Sequence, residues 1–300
     1  MRTDVAKEWE VTDLGEPQKI IGIEITRTPE SITISSSKYI ESILSKEGHE
    51  HCNPVSTPLD PNMQLVPNPD GEIGNRSNSF ARLLGELQYV ANATRPDISY
   101  AVNRLASYTA NPSLQHTTTI KRVLRYLSGT RNLSIIYKAN VDYLNFIGYT
   151  DASYANANKR KSISGYVFIA SGGAITWSSK KQVTKALSST EAEYVAMSEA
   201  AREACWLRSL HSELSILQSE APMLLHGDNK GLIAMAKNPV FHQRAKHIDI
   251  RWHWVRDLVQ DAIIEFISIH DPEQTADIFT KALPCIKHDK HVKGLGLVSV

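Results

Sequence analysis

The sequence predicts a chain of the α/β or α+β class in two parts: a smaller α+β segment, then a mixed sheet covered by helices. Three observations carry this. Short β-branched, alternating runs stand early in the first 140 residues and again after Tyr143. Three consecutive segments between 78 and 130 place apolar residues at three and four spacing. After Tyr143 strands and helices alternate in the order β-β-β-α-β-α-α-β-α.

Taken in order, residues 18–36 read as a hairpin, with "IIGIEITRT" and "SITISSS" as its arms and Pro29-Glu30 as its turn. "KYIESILSKEG" is a short helix ending at Gly48. The Pro-, Asn- and Gly-rich stretch 52–75 is a long loop. Three helices follow. "SFARLLGELQYVANA" stops before Arg95-Pro96, "DISYAVNRLASYTA" starts on Asp97 as a cap, and "SLQHTTTIKRVLRYLSG" starts on Ser113 and ends at Gly129. Beyond Tyr143, "YLNFIGYTDASYA" is a strand, and "SGYVFIA" and "AITWSS" form a hairpin around a Gly-rich turn. A long helix begins in "ALSSTEAEYVAMSEA", where Thr190 and Glu193 have capping-box spacing. "PMLLHGD" is a strand, "NKGLIAMAK" and "KHIDIRWHWVRDLVQD" are helices, and "IIEFISI" is a strand. "DPEQTADIFTKAL" reads as a last helix capped by Asp271 with Pro272 at its first position. The expected division is 1–140, 141–285 and a loose tail at 286–300.

Composition narrows the function classes. The chain has 300 residues, 42% hydrophobic, so it can build a substantial core. No apolar run reaches the length of a membrane span, and the first residues carry no signal-peptide core. These features lead to the expectation of an intracellular protein with no membrane partner. Cys52, Cys205 and Cys285 are far apart, which argues against a disulfide framework or a zinc site. Net charge is only +1, but from Ala152 to Thr190 there are six Lys or Arg and no Asp or Glu. That stretch is a candidate phosphate-facing surface; a solvated basic loop explains it equally well.

Four carboxylates stand where an α/β site tends to form. Asp151 is at the end of the first strand of the second part, Glu193 in the first turn of the long helix, Asp228 at the end of "PMLLHGD", and Asp277 inside the last expected helix. Carboxylates are the ligands that Mg²⁺ prefers. Each also has a plain structural role open to it: turn, capping box, cap of the next helix, or solvated helix face. Spacing alone does not make the four meet.

From Tyr149 to Pro284 the sequence resembles the ribonuclease H domain of copia-type LTR retrotransposon polyproteins. The stretches "YTDASYA", "SISGYVFIASGGAITWSSKKQ", "ALSSTEAEYVAMSEAAREACWLR", "GDNKGLIAMAKNPVFHQRAKHIDIRWHWVRD" and "EQTADIFTKALP" carry the resemblance, in the family's order. Residues 12–138 resemble the segment joining the polymerase to that domain, through "TDLGEPQKIIGIEI", "NPVSTPLDP", "LGELQYVANATRPDISYAVNRLA" and "KRVLRYLSGT".

The resemblance implies a ribonuclease H-like mixed five-stranded sheet flanked by helices. It also implies that Asp151, Glu193, Asp228 and Asp277 hold two Mg²⁺ ions, with Mn²⁺ able to substitute, and cut the RNA strand of an RNA–DNA hybrid. Asp151 would bridge both ions, Glu193 and Asp228 would complete one site, and Asp277 the other. Trp177, Lys180, Lys181, Lys185, Arg244 and Lys246 are the candidates for gripping nucleic acid, with hairpin packing equally open to Trp177 and a plain surface role to Arg244 and Lys246, and His270 is the candidate for product release. His247 and Asp249, in "KHIDIR", also match the family; their expected role is capping or packing. Where the family often carries an acid two residues after the first catalytic Asp, this chain has Ser153. The family's paired-Asp polymerase motif is absent from the sequence, so the chain is expected to be a fragment unable to polymerise alone, with the upstream polymerase domain as its partner. The alternative is a catalytically inactive, transposon-derived nucleic-acid-binding relic.

Overall fold

The computed structural model describes residues 12, 15–68, 78–139, 146–157, 160–214, 221–237 and 246–300; the side chains of 78, 234–237 and 246–250 lie outside the description. In chain order the first elements are β1 (Lys19–Ile20), β2 (Ile23–Arg27), β3 (Ser31–Ser35), α1 (Ser37–Lys46), α2 (Asn78–Ala93), a 3₁₀ turn (Pro96–Ile98), α3 (Ser99–Ala106), α4 (Leu114–Thr130) and β4 (Leu133–Lys138). Then come β5 (Ile147–Ala157), β6 (Lys161–Ala170), β7 (Gly173–Lys181), α5 (Ser189–Glu213), β8 (Met223–Gly227), α6 (Lys230–Lys237), α7 (Lys246–Gln260) and β9 (Ile264–Ser268). The chain ends with two 3₁₀ turns (Asp271–Glu273, Thr275–Phe279), α8 (Cys285–Gly294) and β10 (Leu297–Ser299).

The strands form two five-stranded sheets. The first, β1-β2-β3-β4-β10, is antiparallel throughout. The second, β7-β6-β5-β8-β9, is mixed. Its β7-β6-β5 meander is antiparallel, and β5, β8 and β9 run parallel to one another. The parallel pairs need crossovers, and α5 and the α6–α7 pair supply them. This is the mixed, helix-flanked α/β sheet that the sequence led one to expect, preceded by a smaller α+β unit.

Each unit has its own core. In the first, Ile43, Leu44, Leu87, Val90, Leu105, Val123 and Leu124 bury the inner faces of α1 to α4. In the second, Phe168, Leu225 and Phe266 of the sheet meet Ala200, Ala201 and Ala204 of α5; three alanines on one helix face let it lie close to the strands. A third cluster joins the units: Ile135 of β4, Val167 and Ala174 of the second sheet, and Ile278, Phe279, Leu295 and Leu297 near the C-terminus.

The junction is backbone against backbone. Lys138 N–H donates to Ser171 O and Ala174 N–H to Leu295 O. A Cβ on Gly173 would stand 2.6 Å from Ile136 O, and one on Gly296, at φ +75°, would stand 2.4 Å from Gly172 O. Both positions need glycine because the chains pass too closely for a side chain.

Three expectations are corrected here. The loose tail at 286–300 is instead α8 and β10, and β10 pairs with β4 to complete the first sheet. Three residues are too short a strand to show a pattern of their own, so only the partner strand makes them regular. The expected helix from Asp271 is broken into two 3₁₀ turns. Gln274 is extended, its amide donates to Thr150 O, and its side-chain oxygen accepts from Ala276 N–H. All five residues from Thr275 to Phe279 are buried, which a single amphipathic helix face cannot achieve. Asp97 does not cap a helix; it lies in a 3₁₀ turn and binds the buried Arg95.

Candidate metal centre

The sheet register builds the site. Tyr149 of β5 is opposite His226 of the parallel strand β8. Two residues further on, Asp151 within β5 and Asp228 just past the end of β8 come close together where the parallel strands end. On the other side of Asp151, Gly165 of β6 is its direct partner. A Cβ at Gly165 would stand 2.7 Å from both Phe279 Cβ and Thr280 Cγ2. The missing side chain therefore lets the 275–280 segment lie on the sheet next to Asp151.

Glu193 comes from the first turns of α5, and the helix start is not the one that Thr190 suggests. The cap is Ser188, whose hydroxyl accepts from Glu191 N–H at 3.1 Å, while the Glu191 carboxylate accepts from Leu187 N–H at 2.6 Å. The capping pair is thus Ser188 and Glu191, two residues earlier than Thr190 and Glu193, and Glu193 is released from capping. Asp228 is released in the same way: Asn229 Oδ1 accepts from Leu232 N–H at 3.0 Å at the start of α6.

Asp151, Glu193 and Asp228 each offer a carboxylate oxygen, and these oxygens all lie within 4.8 Å of one another. Asp151 is 1% exposed; Glu193 and Asp228 are half-buried. Crowding acids out of water disfavours their charged forms. Burial, then Asp151 and Asp228, pushes the Glu193 carboxyl up to about 9. Burial raises Asp151 to about 6; Asp277 and Asp228 add to the rise, while Lys281 and the Thr280 hydroxyl oppose it. Asp228 is raised by burial, with Lys281 opposing. Three carboxylates short of positive charge, all hard oxygen donors, match a small divalent cation such as Mg²⁺.

The structure does not bring Asp277 into that trio. Asp277 is 0% exposed and is held by two lysines: its Oδ1 is 2.8 Å from Lys281 Nζ and its Oδ2 is 2.6 Å from Lys287 Nζ. Lys281 Nζ also lies 3.8 Å from Asp151 Oδ2, the oxygen to which Thr280 Oγ1 donates. The expectation of a fourth carboxylate open to a cation gives way to an ion-paired one, because a buried carboxylate needs compensating charge. Neither lysine was singled out by the sequence reading. The signal available was the Asp277-to-Lys281 spacing of four, which commonly places opposite charges together.

The nucleic-acid candidates scatter. Lys180, Lys181 and Lys185 are exposed, and Lys181 Nζ reaches Ser107 Oγ of the first unit at 3.4 Å. Trp177 is an anchor: its indole N–H donates to Ala91 O of α2 at 2.9 Å, and its ring packs on the joining core. Of the two roles open to it, packing is the one these contacts support, since its polar edge and face are both engaged within the protein. Arg244 lies outside the described residues, as do the side chains of Lys246, His247 and Asp249. His270 is exposed at the start of the Asp271–Glu273 turn. Among the described residues no helix is long and apolar enough to cross a membrane.

No family model matches the chain. It is 38% identical over 292 residues, 95% of its length, to the retrovirus-related Pol polyprotein from transposon TNT 1-94 of Nicotiana tabacum, covering 22% of that protein. It is 35% identical over 298 residues to the corresponding polyprotein from transposon RE1 of Arabidopsis thaliana, 99% of this chain and 20% of the relative. The chain thus spans about a fifth of the length of these curated relatives. Among solved structures, LC11-RNase H1 in complex with RNA/DNA hybrid is similar with a TM-score of 0.36 and 15% identity, over 45% of this chain and 94% of that one. By its sequence relatives, aligned along almost its whole length, the chain belongs to the copia-type retrotransposon Pol polyprotein family.

Proposed function

We propose that the chain is a ribonuclease H that hydrolyses the RNA strand of an RNA–DNA hybrid, with Mg²⁺ (or Mn²⁺) held by Asp151, Glu193 and Asp228. The observation that carries this reading is the convergence of the three carboxylate oxygens within 4.8 Å at the carboxyl edge of a mixed sheet. A bound divalent cation would supply Lewis-acid activation of water and charge stabilisation at phosphorus. The rest falls to the chain. Asp151, within β5, and Asp228, directly after the end of β8, would hold the cation. Glu193, whose carboxyl is raised to about 9, would have to release its proton to serve as a ligand. The exposed Lys180, Lys181 and Lys185 supply positive charge to phosphates, which sets affinity without reading sequence.

Hybrid would be told from duplex DNA by shape and by 2′-hydroxyl contacts. The unit at 12–138, packed against the second sheet, would extend the grip on the duplex and meet the polymerase domain of a complete polyprotein. Labelled RNA–DNA hybrid incubated with the full chain and Mg²⁺ tests the reading. Cleavage of the RNA strand that disappears in Asp151→Asn and Asp228→Asn is the expected result. Hybrid binding without cleavage, or cleavage that survives both substitutions, rejects it.

A further inference from the structure

The acidic trio has a neighbour that the nuclease reading leaves unused. Lys281 reaches between Asp151 and Asp277, at 3.8 Å from one carboxylate and 2.8 Å from the other. Its side chain is 37% exposed while both carboxylates are almost fully buried. Lys287 closes the other side of Asp277 at 2.6 Å. Both Asp277 oxygens are therefore occupied by lysine ammonium groups, and Asp151 Oδ2 faces one of them along with the Thr280 hydroxyl.

We infer that Lys281 takes the place of a second divalent cation, so that the chain binds a single ion at Asp151, Glu193 and Asp228. The physical reason is charge. Asp151 and Asp277 are fixed in a buried environment on a strand and a 3₁₀ turn, and anions there require a nearby cation. Lys281 is covalently present at that place at all times, four residues after Asp277. A divalent ion between Asp151 and Asp277 would have to displace the Lys281 ammonium or sit against it, and close like charges in a partly desolvated site repel strongly. Glu193 and Asp228 have no comparable ion pair among the described residues, so the trio keeps its demand for a cation. Lys281 is a charge-compensating residue in this account; Lys287 holds Asp277 in position.

This inference rests on the nuclease reading only for its choice of cation, and its test is independent of cleavage. Mn²⁺ bound by the full chain without nucleic acid is counted by electron paramagnetic resonance of the free ion and by calorimetry. The wild type is expected to bind one ion, Lys281→Arg one ion, Lys281→Met two, and Asp151→Asn none at the same concentrations. Two ions on the wild type overturn the inference, and that count needs no variant to fold. One ion on a folded Lys281→Met protein also overturns it, since removing the ammonium should open the second place. Two ions together with hybrid cleavage leave the nuclease reading standing and remove this one. One ion without cleavage does the reverse.

Discussion

Two places in this molecule bury charge, and they solve the problem in opposite ways. At the trio, Asp151, Glu193 and Asp228 converge, and Lys281, which faces Asp151, is shared with Asp277. In the first unit, Arg95 and Asp97 are both fully buried and form a bidentate pair, Nε to Oδ1 at 2.9 Å and Nη2 to Oδ2 at 2.7 Å. The Arg95 guanidinium also donates to Thr130 O and Oγ1, and Tyr126 donates to Asp97 Oδ2 at 2.7 Å. Burial alone would raise Asp97, but Arg95 and Tyr126 outweigh it and hold the carboxyl below its usual range. His288 of α8 packs edge-on against Tyr126, so this network also seats the C-terminal helix. A self-compensated cluster fixes structure. An under-compensated one is left with a demand for positive charge, on which the proposed cation site rests. The lesson is that the balance of charge, more than the number of acids, separates a candidate site from a structural network.

The contrast can be broken at either end. The largest effect is expected at the trio. Asp151→Asn or Glu193→Gln should lower Mg²⁺-dependent hybrid cleavage by more than about 100-fold, the upper figure for losing only an outer partner of a metal ligand. Stability in urea should hold, since Asp151→Asn removes a charge crowded among acids and Glu193, with its carboxyl raised to about 9, loses little charge; a large loss of stability would show that the trio is structural. Arg95→Met is the mirror case. It should destabilise the fold by about 3–5 kcal/mol, because Asp97 is left buried without its partner, and a shift of the urea midpoint checks it. Little change would mean that Asp97 finds another partner or takes up a proton at no cost.

A third expectation concerns pH. His291 is buried and its imidazole is depressed to about 4, mainly by burial, with Asp277 opposing; His288 is lowered as well, again mainly by burial. Below about 6.5 the unfolded chain takes up protons that the folded chain refuses. The contribution is therefore fully present above that pH and is lost as pH falls toward about 4. Urea midpoints measured across that window should fall with pH, and less steeply in His291→Gln. The smallest effect belongs to the helix cap. Ser188→Ala should cost about 1 kcal/mol and leave cation binding unchanged, whereas Glu193→Gln should impair cation binding. Equal effects on binding would mean that the cap and the trio act as one unit.

Much of the second sheet was legible because its signals are local. Alternating β-branched runs, the turn chemistry of Ser171-Gly172-Gly173 and the strand–helix alternation all survive folding unchanged. The position of Asp228 at a strand end followed from the same pattern, whereas Asp151, expected at a strand end, lies in the middle of β5 because pairing with β6 carries the strand on to Ala157. The cap of α5 was misplaced by two residues, since "SSTE" offers several hydroxyls and only the backbone geometry picks Ser188. The 271–283 stretch was misread because its hydrophobic residues suit a helix, while Gln274 is pulled out of line by Thr150 on a distant strand.

The sequence by itself determined the strand and helix alternation from β5 to β9, the class of fold, and the places of Asp228 at a strand end and Glu193 near a helix start, because those depend on neighbours within a few residues. The tertiary structure alone decided which acids meet and which are neutralised. Asp151 and Asp228 meet through the register of two parallel strands, and Asp277 is claimed by Lys281 and Lys287. It also decided that the last residues close the first sheet beside β4. These outcomes turn on contacts between segments far apart in the chain, set by packing and charge compensation that no local pattern encodes.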